Sequence, residues 1–167
     1  MRDAFQIRAL PSERFAPLAD MTDAELAAIG ARRVVVDGQP GYPCRVSLVD
    51  AEPGEMVLLV PFVHHDVDSP YRAGGPIFVR PGAAMAAPAA GEVPSLLRHR
   101  LLSVRAYDAG AMMRDAAVVQ GRDLEVAIER LFARDEVRYL HVHNAGPGCY
   151  NCRVVRIRAD HTGDQTC

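Results

Sequence analysis

His141 and His143 stand two residues apart in YLHVHN, and in an extended strand residues i and i+2 point to the same side. Two imidazoles placed this way can share one metal ion, with His64 or His65 of FVHH as a third ligand of a zinc or iron centre. The same pair suits a metal-free polar cleft in which His141 or His143 is the general acid or base, because an unperturbed imidazole titrates near pH 6.5. A third reading is structural, with the rings hydrogen-bonded inside the fold.

Cys149 and Cys152 form a C-x-x-C, a spacing that serves redox chemistry when it opens a helix and zinc when a second such pair exists. No second pair is present, and Cys152 begins a strand. Cys149 alone, in the glycine-rich AGPGC beside His141 and His143, is a candidate nucleophile with a histidine base; the alternative is an inert packed thiol. In DSPYRAGGPIF, Ser69, Tyr71 and Arg72 precede a glycine pair that lets a backbone approach a ligand closely. The Arg72 fork suits a carboxylate or phosphate, and Arg45 and Asn144 are further candidates for binding such a substrate. Against this stands a salt bridge from Arg72 to Asp66 or Asp68 that would only order the loop. Tyr107 with Asp108 reads as a strand end and turn.

The elements that must position these groups are read from periodicity. FQIRAL is a strand ended by Pro11, and TDAELAAIGA is a helix in which Thr22 and Glu25 form a capping box and Gly30 is the stop. CRVSLVD reads as a strand with Cys44, Val46 and Leu48 on one face and Arg45, Ser47 and Val49 on the other, forming a hairpin with MVLLVPFVH. HHDVDSPYRAGG is a loop before the strand PIFVR, and PGAAMAAPAAGEVP is a surface excursion. SLLRHRLLSVRAYD runs from a helical turn into a strand, with MMRDAAVV as its partner. DLEVAIERLFARD carries Leu124, Ile128 and Leu131 on one helical face. In the last pair of strands, VRYLHVHN and CRVVRIR, alternation puts Val137, Tyr139, His141 and His143 on one face and Arg138, Leu140 and Val142 on the other. Together these predict an α+β fold, a mainly antiparallel sheet of about six to eight strands with two main helices packed on it. A single domain covers residues 1–160 and a polar tail residues 161–167.

Composition excludes several chemistries. Lysine is absent and all 19 basic residues are arginine, so a pyridoxal phosphate Schiff base and a P-loop nucleotide site are both impossible. A net charge of −2 without a basic run, no tryptophan and 6% aromatics argue against a nucleic-acid partner. No apolar run approaches the ~20 residues of a membrane-spanning helix. With no secretory signal visible, the expected location is the cytoplasm.

Three segments in order, PGYPCRVSLVDAEPGE, DSPYRAGGPIFVR and YLHVHNAGPGCY, resemble a bacterial family of unknown function, DUF1203, over about Phe15 to Arg158. The resemblance implies a single-domain bacterial protein and no substrate; the second cysteine of GCYNCR is not part of its pattern. The reading that follows is a small-molecule enzyme or binding protein whose Arg/His/Tyr pocket takes a small anionic ligand. A divalent-metal protein using His64, His65, His141 and His143 is the alternative, and a non-catalytic protein-interaction module is the third.

Overall fold

A computed structural model describes residues 4–157; the polar tail with Cys167 lies outside the described residues. Two antiparallel sheets organise the chain. The larger contains β1 (Ala4–Arg8), β5 (Leu101–Tyr107), β6 (Met113–Gln120), β7 (Tyr139–Asn144) and β8 (Tyr150–Ile157), in the order β1-β8-β7-β5-β6. The smaller contains β2 (Arg32–Val35), β3 (Met56–His65) and β4 (Ala73–Val79), with β3 central. The α+β expectation holds, with the eight strands of the described residues divided between two sheets instead of one.

Helices form where capping and periodicity call for them. In α1 (Asp23–Ala28) the Glu25 amide donates to the Thr22 hydroxyl at 3.3 Å, the Glu25 carboxylate accepts from the Thr22 amide at 2.7 Å, and Gly30 turns the chain away at φ 75°. A single helical turn, α2 (Ser95–Arg98), leads into β5. In α3 (Leu124–Phe132) the stripe Leu124, Ile128 and Leu131 is fully buried against the larger sheet, meeting Leu140 and Val142 of β7 and Val154 of β8 in one apolar cluster. The second cluster lies in the smaller sheet around Leu58, Val60, Phe62 and Ile77, and it includes Tyr150 from the larger one.

The segment from Cys44 to Asp50 departs from the strand expected there. The Leu48 amide donates to the Cys44 carbonyl at 3.0 Å and the Cys44 amide to the Val49 carbonyl at 3.0 Å, with Leu48 at φ 52°. The segment is therefore a closed turn, joined at its ends by the Pro43–Asp50 bridge and to β4 by the Cys44–Phe78 bridge, and it does not form the expected hairpin with β3. β3 pairs instead with β2 and β4. Cys44, Val46 and Leu48 are buried as alternation predicts, but so is Arg45, at 2% exposure. A turn wraps its side chains around the chain, so the two-face arithmetic of a strand fails here.

One irregularity aims the polar groups. Between Phe62 and His65 the β3–β4 register shifts by a β-bulge, and a bulge re-aims side chains that a regular strand would send to opposite faces. Consequently both His64 and His65 turn toward the larger sheet, their rings 6.0 Å and 4.9 Å from that of His141. Gly74 makes the bulge possible, since a Cβ there would lie 3.0 Å from the Phe62 carbonyl oxygen and 3.2 Å from the Val63 Cα. At Gly75 a Cβ meets nothing within 4 Å. Gly74 thus serves the approach of strand to strand, whereas the space around Gly75 would admit a side chain. Gly74→Ala is expected to cost about 1–3 kcal/mol by overpacking and Gly75→Ala at most about 0.5 kcal/mol. Urea denaturation checks this, and equal costs at the two positions would contradict the packing described.

Candidate functional site

His64, His141 and His143 each bring one ring nitrogen to within 4.8 Å of the others. His141 and His143 come from the inner strand β7, which is buried on both faces: Leu140 and Val142 face α3, and the histidines face the bulged end of β3. Exposure is 2% at His141 and 0% at His143, with His64 half-buried. Tyr150 closes one side, its ring stacked on His64 at 5.1 Å and 7°.

The hydrogen bonds separate His65 from the other three. Its Nδ1 lies 2.7 Å from the Tyr71 carbonyl and its Nε2 2.7 Å from the Tyr139 hydroxyl. A carbonyl only accepts, so Nδ1 carries the proton and, in the neutral ring, Nε2 accepts from Tyr139. Both nitrogens of His65 are engaged. By contrast, Nδ1 of His64, Nδ1 of His141 and Nε2 of His143 are buried without a hydrogen-bond partner. Nδ1 of His143 donates to the Gly148 carbonyl at 2.9 Å, which leaves the Nε2 lone pair directed away from that bond.

Burial dominates the electrostatics. It lowers His64 from 6.5 to about 4, with Arg105 and His65 adding to the effect. It lowers His143 to about 4 against the opposing Gly148 hydrogen bond. His141 falls to about 2, through burial first and then through His65, His143 and His64. The three rings are neutral at pH 7, with lone pairs available.

The other candidates occupy separate places. Arg72 is exposed and paired with Asp66 at 2.6 Å. Ser69 donates to the Ala111 carbonyl at 3.1 Å and accepts from the Tyr71 amide at 3.1 Å, tying the 66–72 loop to the β5–β6 turn. Asn144 accepts from Asn151 Nδ2 at 2.7 Å across the β7–β8 hairpin. Arg45 points inward instead of lying on a polar strand face: its guanidinium donates to the carbonyls of Tyr150, at 2.7 Å, and Pro43, and burial lowers it to about 10. Cys149 is half-buried at the end of the 145–149 loop and outside the three-histidine group. Cys152 sits in the apolar core beside Val154, and burial pushes its thiol up to about 12.

Periodicity alone did not single out Arg105 and Arg153. Register places both directly opposite His141, Arg105 on β5 and Arg153 on β8. The Arg153 guanidinium lies 4.1 Å from the centre of the Tyr139 ring. The alternation of LLSVRAY and CRVVRIR marked their strand faces; strand order, which no local pattern encodes, was needed to bring them to the histidines.

A neutral imidazole that protonates poorly in the fold makes stability depend on pH. The unfolded chain binds these protons near pH 6.5 and the folded chain only near 4 or below. As pH falls through that window the unfolded state takes up protons first. Stability of the metal-free protein is thus complete above pH 6.5 and declines toward pH 4, by up to about 1.4 kcal/mol per pH unit for each of His141 and His143. Half-exposed His64 contributes less. Urea midpoints in chelator near pH 7, 5.5 and 4.5 measure this, and His143→Gln should flatten the slope; an unchanged slope in that variant would refute the assignment.

No helix of the described residues is long and apolar enough to cross a membrane. No curated protein and no solved structure matches the chain. The model of the family described as protein of unknown function (DUF1203) matches residues 41–156, starting later than the Phe15 expected and including every histidine and arginine of the site described above. On that match, the chain belongs to the DUF1203 family.

Proposed function

We propose that the chain binds one divalent metal ion through His64, His141 and His143. The observation that carries this is the convergence of three imidazoles from two sheets, each with a buried ring nitrogen that no protein group satisfies. Buried polar atoms are satisfied in the great majority of cases, so three orphaned nitrogens in one place call for a shared partner. Three nitrogen donors leaving a fourth position open is the pattern of catalytic zinc, and imidazole also suits iron. The Gly148 carbonyl holding His143 Nδ1 is the outer hydrogen bond such ligands usually make. Nitrogens 2.0–2.1 Å from a tetrahedral ion lie about 3.4 Å apart, so the rings would close in slightly on loading.

The metal-free acid–base reading has less support, because imidazoles lowered to about 4 and about 2 titrate too far below neutrality for efficient proton transfer at pH 7. The interaction-module reading expects dispersed, solvated histidines, which the burial of His141 and His143 does not favour.

Untagged protein, stripped with chelator and dialysed against zinc or cobalt, is expected to retain about one ion per chain by elemental analysis and to melt higher. The gain is about 2.7 kcal/mol at a free metal concentration of 100 times Kd. His141→Ala and His143→Gln should abolish both effects, whereas His65→Gln should preserve them. Absence of stoichiometric metal, or a His65 variant as impaired as the His141 variant, would overturn the proposal.

A further inference from the structure

The larger sheet carries a row of directly paired residues across four strands. Arg8 on β1 faces Arg153 on β8, Arg153 faces His141 on β7, and His141 faces Arg105 on β5. Directly opposite residues in antiparallel strands project from the same side of the sheet, so all four stand on the histidine face. Arg8 and Arg153 are exposed and Arg105 is half-buried.

None of these three arginines makes an ion pair with a carboxylate among the described residues. Arg105 meets neutral hydroxyls, Ser103 at 3.4 Å from its Nε and Tyr107, and Arg153 lies over the Tyr139 ring. Several arginines elsewhere do find carboxylates, among them Arg33 with Asp23, Arg80 with Glu55, Arg98 with Glu125, Arg100 with Asp50 and Arg114 with Asp108. Like charges directly opposite one another destabilise a sheet. Three guanidiniums without an ion pair among the described residues therefore stand in one row, on the face that carries the histidines. The metal reading sharpens the imbalance, since three neutral imidazoles cancel none of a divalent ion's charge.

Resting on that metal reading, we infer that the ligand of this site is a small organic anion with at least two negative charges. One of its oxygens takes the open position of the ion at His64, His141 and His143, and its remaining acidic group lies on the forks of Arg105 and Arg153. Arginine's planar donors match carboxylate and phosphate oxygens two at a time. With strands about 4.8 Å apart, Arg105 and Arg153 are each one strand spacing from His141 and within reach of one ligand bound there. Arg8, one strand further out, attracts the anion from solvent. The loop residue Arg72, already paired with Asp66, takes no part.

The zinc-loaded protein is titrated calorimetrically with succinate and with inorganic phosphate, and with acetate and chloride at matched ionic strength. A divalent probe is expected to bind at least tenfold more tightly than acetate. Arg153→Gln and Arg105→Gln should each weaken it tenfold or more while keeping about one zinc per chain and the metal-free melting temperature, and Arg72→Gln should leave it unchanged. Should one arginine variant fail to fold, the other carries the comparison. Which of succinate and phosphate binds better decides the acidic group. If zinc binds but divalent and monovalent anions do not differ, or the Arg105 and Arg153 variants bind as well as the parent, the anion proposal is wrong and the metal centre stands. If zinc does not bind, both fall, and the metal analysis alone shows it.

Discussion

Burial of β7 on both of its faces is the constraint from which the rest of the site follows. A strand flanked by β5 and β8 has its backbone satisfied on both edges, so its side chains decide what must cover it. Leu140 and Val142 are covered by α3 at the gain expected of buried aliphatic groups. Tyr139, His141 and His143 are covered by the bulged end of β3. Covering imidazoles without carboxylates removes their hydration and supplies no counter-charge, which keeps them neutral and leaves ring nitrogens unpaired.

Holding that cover in place is the work of Arg45 and Tyr150. Arg45 carries a buried charge that donates to two backbone carbonyls, joining the 44–50 turn to the start of β8. Tyr150, whose carbonyl it grips, stacks on His64 and belongs to the apolar cluster of the smaller sheet. The 66–72 loop contributes from the other side, through the Tyr71 carbonyl on His65. Arg45, a candidate substrate anchor by residue type, is thereby a bridge between the two sheets, and the desolvation of its guanidinium is offset by hydrogen bonds instead of an ion pair.

Much of this was legible locally. The Thr22–Glu25 capping box, the stripe Leu124, Ile128 and Leu131, and the alternation of Tyr139, His141 and His143 against Leu140 and Val142 each depend on a period of 3.6 or 2 or on a cap three residues long. Such signals need only neighbours in the chain. The same alternation misled at Cys44–Asp50, where Cys44, Val46 and Leu48 are buried by a closed turn whose hydrogen bonds leave no trace in a hydrophobic pattern.

What the sequence by itself determined is therefore most of the elements, with Cys44–Asp50 the exception, the histidine face of β7, the absence of lysine chemistry and the family. Only the tertiary structure decided that His64 and not His65 keeps unpaired nitrogens, that Arg72 is spent on Asp66, and that Arg8, Arg153 and Arg105 line up with His141. The reason is physical. Element type follows from interactions within a few residues, whereas strand order, bulge position and cross-strand register arise from contacts between segments as distant as Arg8 and Arg153, and one residue of slip reverses every face.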